Sequence, residues 1–236
     1  MAKKSLFLLA ACLMLAQPNR PAAQYNTQGI PPPPGTNPSP AKMTFFVTSV
    51  GMGKGGDLGG LAGADAHCQQ LATAAGAGNK TWHAYLSENG SAGHPTINAK
   101  DRIGNGPWYN AKGVLIANNV ADLHSDKNNI SKMTALTEKG DMLPGRADGA
   151  ANVHDVLTGT QPDGTAYPGE NSANSTCGNW VRYFPMSGKA RVGHFDKDGN
   201  NADGKSWNSA HDTAGCAQDE LKSTGGAGLT YCFAVN

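Results

Sequence analysis

The sequence lacks an apolar run of membrane-spanning length. A helix needs about 20 consecutive apolar residues to cross a bilayer, and the longest stretch, Leu6–Ala16, reaches only about eleven, the length of a signal-peptide core. Charge is sparse at 16% of residues, with 19 Lys and Arg against 18 Asp and Glu. So balanced a chain has no net field to draw it to nucleic acid or anionic lipid. No Cys-x-x-Cys pair is present, which removes the common zinc-ribbon and thioredoxin-type motifs. Neither His-Glu-x-x-His nor Gly-x-Ser-x-Gly occurs, and no nucleophile sits beside a recognisable base. On these absences no catalytic residues are assigned and no enzyme is expected.

What is present divides the chain into three. Lys3 and Lys4 followed by Leu6–Ala16 read as a secretory signal over residues 1–23, with small residues at Ala22 and Ala23 for cleavage. The alternative is a lipoprotein signal ending before Cys12, since Leu9-Ala10-Ala11-Cys12 has the form of a lipobox; Cys12 would then carry a lipid anchor. Residues 24–42, rich in proline at Pro31–Pro34, Pro38 and Pro40, read as an extended disordered spacer. Residues 43–236 make one domain. The expected location is secreted, periplasmic or at the cell surface, with no transmembrane segment in the mature chain.

Within the domain, Cys68, Cys177, Cys216 and Cys232 form an even set, read as two disulfides with three possible pairings. Met43–Val50 and Thr81–Ser87 read as strands, as do Trp180–Phe184 and Leu229–Val235. Ala64–Ala75 reads as a helix with Cys68, Leu71 and Ala72 on its inner face. Between Glu88 and Ser175 turn-forming residues dominate, broken by the apolar run Val114–Ala117. With 31 glycines, the chain predicts an α+β fold of few strands, one or two helices and long irregular loops.

Gly63-Ala64-Asp65-Ala66-His67-Cys68, the following segment to Gly76, and Ala84-Tyr85-Leu86-Ser87 resemble the opening of the endostatin domain of collagens. Val156–Gly164, Cys177-Gly178-Asn179-Trp180, Cys216 and Tyr231-Cys232-Phe233 resemble its later blocks. The likeness spans most of residues 43–236 as separated blocks, and extends to the C-type-lectin-like fold that endostatin shares and to bacterial lectin-like secreted proteins. It implies nested disulfides, Cys68–Cys232 outside Cys177–Cys216. It also implies a glycan as ligand, or a cell-surface or matrix protein bound without sugar or metal. Lectins of this kind hold calcium with a carboxamide–proline–carboxylate triplet and a later Trp-Asn-Asp. Gln161-Pro162-Asp163 and Trp207-Asn208 match in order, so Gln161, Asp163 and Asn208 become candidate calcium ligands, with Trp207 joining them in ligand binding. Ser209 stands where the second carboxylate belongs, and Pro162-Asp163-Gly164 is equally a good β-turn.

Three further features need weighing. Asp196–Asp203 suggests calcium, but its glycine and Trp207 fall at the wrong places for an EF-hand, which leaves a solvated hairpin turn or a looser calcium loop. Gly51-Met52-Gly53-Lys54-Gly55-Gly56 matches a dinucleotide fingerprint, yet the expected helix starts too late, so chance in a glycine-rich chain explains it. His154-Asp155, His194 and His211-Asp212 offer zinc ligands or an acid and base for a metal-dependent hydrolase. Without a motif to join them, the simpler expectation is that the histidines hydrogen-bond loop carbonyls. Trp108 and Tyr109 are expected to anchor their loop.

Overall fold

The computed structural model describes residues 39–91, 93–149, 151–168 and 175–236; the signal and lipobox readings, including Cys12, lie outside them. The fold is mixed α+β and is organised on one strand near its C-terminal end. That strand, β8 (Gly226–Ala234), pairs antiparallel with β1 (Phe45–Val47) and β2 (Trp82–Ala84). It also runs parallel to β5 (Asp155–Leu157). β1 lies along one edge of β8, while β2 and β5 follow each other along the other. The sheet continues through β6 (Arg191–His194) to β7 (His211–Asp212), giving the order β1-β8-β5-β6-β7. A separate ribbon joins β3 (Trp108–Tyr109) to β4 (Leu115–Ala117).

Side chains alternate across a strand with period two, and β8 uses both of its faces. Cys232 and Ala234 enter a core with Phe46, Trp82 and the helix α1 (Gly60–Ala74). Leu229, Tyr231 and Phe233 enter a second core, rich in aromatics, with Phe45, Tyr85, Trp108 and Trp207. α1 buries Ala64, Cys68 and Ala72, one residue every four, so a narrow stripe of small side chains lets it lie close to the sheet. It begins four residues earlier than the sequence pattern predicts, after Gly59, whose left-handed backbone (φ 70°) suits glycine.

Both disulfides form as the resemblance implied. Cys68–Cys232 fastens α1 to β8, and Cys177–Cys216 closes a shorter loop. The expected strand at Trp180–Phe184 does not form. Cys177–Trp180 is instead a single tight turn, α3, in which Gly178, Asn179 and Trp180 all have positive φ. Trp180 turns inward and donates from Nε1 to the Ser87 carbonyl, while Val181, Tyr183 and Phe184 stay exposed. Two short helices, α2 (Val120–Leu123) and α4 (Gln218–Ser223), were not expected; Glu220 caps α4 by accepting from the Ala217 N–H. Among the described residues no helix is long and apolar enough to cross a membrane.

The long middle is anchored rather than loose. Trp108 is buried and donates to the Ala234 carbonyl, as an anchoring residue should. Ser39 and Lys42 already belong to the domain: Ser39 donates to the Ala111 carbonyl and the Lys42 ammonium lies over the Tyr109 ring.

Candidate metal centre

Three strands bring the histidine pairs together. Asp155 opens β5 and stands directly across from His194 at the end of β6; His211 in β7 stands across from Val192, two residues before His194 and so on its face. His154 precedes β5, and its ring stacks on that of His194 with centroids 3.9 Å apart. Cross-strand register thus gathers residues that are up to 57 positions apart in sequence (211 − 154).

The geometry converges on one carboxylate oxygen. Nε2 of His154 and of His194 each lie 3.2 Å from Asp155 Oδ1, and Nε2 of His211 lies 3.5 Å from it. Ligand atoms of His154, Asp155 and His194 all fall within 4.8 Å of one another. Two ligand atoms held about 2.1 Å from a tetrahedral ion are themselves about 3.4 Å apart, which the distances to Asp155 Oδ1 match; His211 lies outside the compact group of three. The Asp155 side chain is 1% exposed, whereas His211 is 37% exposed and forms the open side.

Hydrogen bonding settles where the ring protons sit. His154 Nδ1 lies 3.0 Å from the Asp196 carboxylate, His194 Nδ1 2.7 Å from the Gly204 carbonyl, and His211 Nδ1 3.0 Å from the Asp212 carbonyl. All three partners only accept, so each ring carries its proton on Nδ1. Each ring therefore turns its Nε2 towards Asp155, whose carboxylate can only accept, so Nε2 there carries either a second proton or a lone pair free for an ion. Both Asp155 oxygens and His194 Nε2 are buried without a hydrogen bond, although the atoms lie close.

Such an arrangement calls for positive charge among the four groups, either protons or a metal ion. Burial works to raise the Asp155 carboxyl, but the facing His194 and His211 outweigh it and hold it below the usual carboxylate range. Asp155 in turn lifts His211 above the usual histidine value. A proton on His211 is thus the competitor a metal must displace. Asp196 is also held low: burial opposes this, but His154 and the backbone N–H groups of Asp198 and Arg146 outweigh it. Asp196 stands to His154 as an outer carboxylate stands to the imidazole it orients in metal sites.

The loop-carbonyl role expected for the histidines is correct as far as it goes. It occupies Nδ1 of His194 and His211, and equally ring nitrogens of His67 (Val50 carbonyl), His83 (Arg102 carbonyl) and His124 (Val120 carbonyl). In the cluster it leaves the second nitrogen for another task. Asp196, which the sequence leaves between a solvated hairpin turn and a looser calcium loop, serves His154; its position two residues after His194 is the one signal for this.

The glycan-type residues meet at a different place. The Asn208 amide donates to the carbonyls of Gln161 and Pro162 and to the Tyr85 hydroxyl, and its Oδ1 accepts from Ser206 Oγ. Asp163 Oδ1 accepts from the N–H and hydroxyl of Thr165, and its side chain is 64% exposed, with Oδ2 3.8 Å from Lys100 Nζ. Gln161 donates from Nε2 to Thr165 Oγ1 and the Ala166 carbonyl, and Trp207 is buried in the aromatic core. These bonds hold a tight turn against Asn208. The glycine-rich run at Gly51–Gly56 packs on the Cys216 segment, with Gly55 N–H donating to Gln218 and Gly56 N–H to the Cys216 carbonyl. No protein-family model and no curated protein matches the chain.

Proposed function

We propose that this chain is an extracytoplasmic binding protein whose working site is a mononuclear transition-metal centre built from His154, Asp155, His194 and His211. One observation carries the reading: three imidazoles with Nδ1 committed to acceptors direct Nε2 at a buried carboxylate that has no hydrogen bond of its own. A mixed set of nitrogen ligands and one carboxylate suits zinc and its first-row neighbours, whereas calcium and magnesium favour all-oxygen sites. When bound, such an ion supplies a Lewis acid. The protein's own part is to fix the imidazoles, through Asp196, Gly204 and Asp212, and to keep the site dry.

The test is metal uptake by stripped protein. Zn(II) or Co(II) is expected to bind at one ion per chain, and Asp155→Asn, which keeps shape and size, is expected to weaken binding by at least ~100-fold. No uptake, or uptake indifferent to Asp155→Asn in a protein shown by circular dichroism to be folded, would reject the centre.

The finer architecture, a C-type-lectin-like fold exposed outside the cytoplasm, belongs to the same proposal. It is supported by the nested disulfides, the outer one joining the first helix to the last strand. Glycan binding is a second reading, supported by the contact between the Gln161–Gly164 turn and Asn208 beside a cleft of about 400 Å³. Its test is a glycan array run with and without a calcium chelator. Binding that the chelator and Asp163→Ala both remove is the expected result, and silence under both conditions ends that reading.

A further inference from the structure

We infer that the ligand completing this centre is an oxyanion, a carboxylate or phosphate, held between the metal ion and Arg146 at the mouth of the cleft. The inference rests on the metal reading above and adds the class of ligand. A cleft of about 300 Å³ reaches the rings of His154, His194 and His211. Its lining includes Arg146, Asn152, Asn200 and Asn201, and among the described residues no carboxylate lines it. That composition is selective, because Asp155, Asp196 and Asp212 all lie nearby in the sequence and each is turned to a histidine, a backbone group or an arginine instead.

The donors on the rim are free to act. Arg146 is exposed and its guanidinium has no ion-pair or hydrogen-bond partner among the described residues, although its backbone N–H is tied to Asp196. Asn152 and Asn201 each commit the amide oxygen to a backbone N–H, of His154 and of Gly204. The NH₂ end of each is left as a donor. A divalent ion bound by one carboxylate and neutral imidazoles keeps a net positive charge, and a guanidinium beside it adds the planar fork that recognises carboxylate and phosphate oxygens. A fifth ligand on the open side is within the range of a catalytic-type zinc or cobalt site. Neutral sugars would leave the guanidinium without a counter-charge.

The experiment uses the full domain loaded with Co(II), its metal content measured first. Inorganic phosphate and acetate are then titrated separately, followed by the visible Co(II) spectrum and by calorimetry. At least one of the two is expected to shift the cobalt bands and bind, and the stronger of them names the source, phosphoester or carboxylate. Arg146→Ala, a surface change outside the ligand set, is expected to weaken that binding about tenfold while metal content stays the same. Full cobalt loading with no response to either anion, or a response that Arg146→Ala leaves unchanged, would overturn this inference alone. Failure to load cobalt would overturn it together with the metal centre.

Discussion

Replacing Cys68 and Cys232 together by alanine is expected to lower the unfolding free energy by about 5 kcal/mol, the loop-entropy value for a crosslink of this span. The bond joins residues 164 apart in sequence, against 39 for Cys177–Cys216. The same relation gives about 4 kcal/mol for the shorter bridge, so the outer bridge is the costlier to lose. The position adds to the entropy: Cys68 is on the buried stripe of α1 and Cys232 on the central strand, both fully buried, so the bond spans the first core. Domains are stable by roughly 5–15 kcal/mol in all, and a loss of this size brings the variant near or below its unfolding threshold. Denaturant unfolding of both double variants under non-reducing conditions measures it. A change under ~1 kcal/mol for the outer pair, or a larger cost for the inner pair, would contradict the account.

The second large effect is stabilisation by metal. An ion that binds only the folded chain adds about 2.7 kcal/mol at 100 times its dissociation constant. For a domain of this size each kcal/mol moves the midpoint by roughly 2–4 °C, so Zn(II) is expected to raise Tm by about 5–10 °C. The physical source is local. Three imidazole Nε2 atoms face one buried carboxylate oxygen, and an ion bound among them converts that close approach into bonds. A chelator is expected to reverse the rise, and Asp155→Asn to remove it. Calorimetry with and without Zn(II) decides the matter, and equal midpoints would count against a site of useful affinity.

The parts of the fold that could be read in the sequence are those with a local signature. α1 shows its helical spacing at Cys68, Leu71 and Ala72, of which Leu71 is only partly buried, β1 carries a dense aromatic and β-branched run, and β2 lies in an alternating one. Trp180–Phe184 carries the same kind of run and misleads. Its backbone turns left-handed at Gly178, Asn179 and Trp180, driven by the inward anchoring of Trp180, and composition does not record that. The candidate site was visible only as scattered pairs. Asp155, His194 and the pair His211-Asp212 sit on strands of three, four and two residues, with His154 just before the first, too short for any alternation to announce them. Their meeting depends on the register Asp155↔His194 and Val192↔His211, a property of pairing between distant segments. Arg146 had no signal at all, since its importance lies in facing a cleft formed by residues 152–224.

The place of β8 in the chain sets an order of assembly. Among the described residues β1 and β2 pair with no strand other than β8, and β8 occupies residues 226–234. During synthesis β1 therefore waits for this partner until about 180 further residues have been made, and β2 until about 140 have. Pairings of such separation are slow to form. The nascent chain accordingly stays open and pliable until its last strand arrives, and Cys68 finds its partner thiol only then.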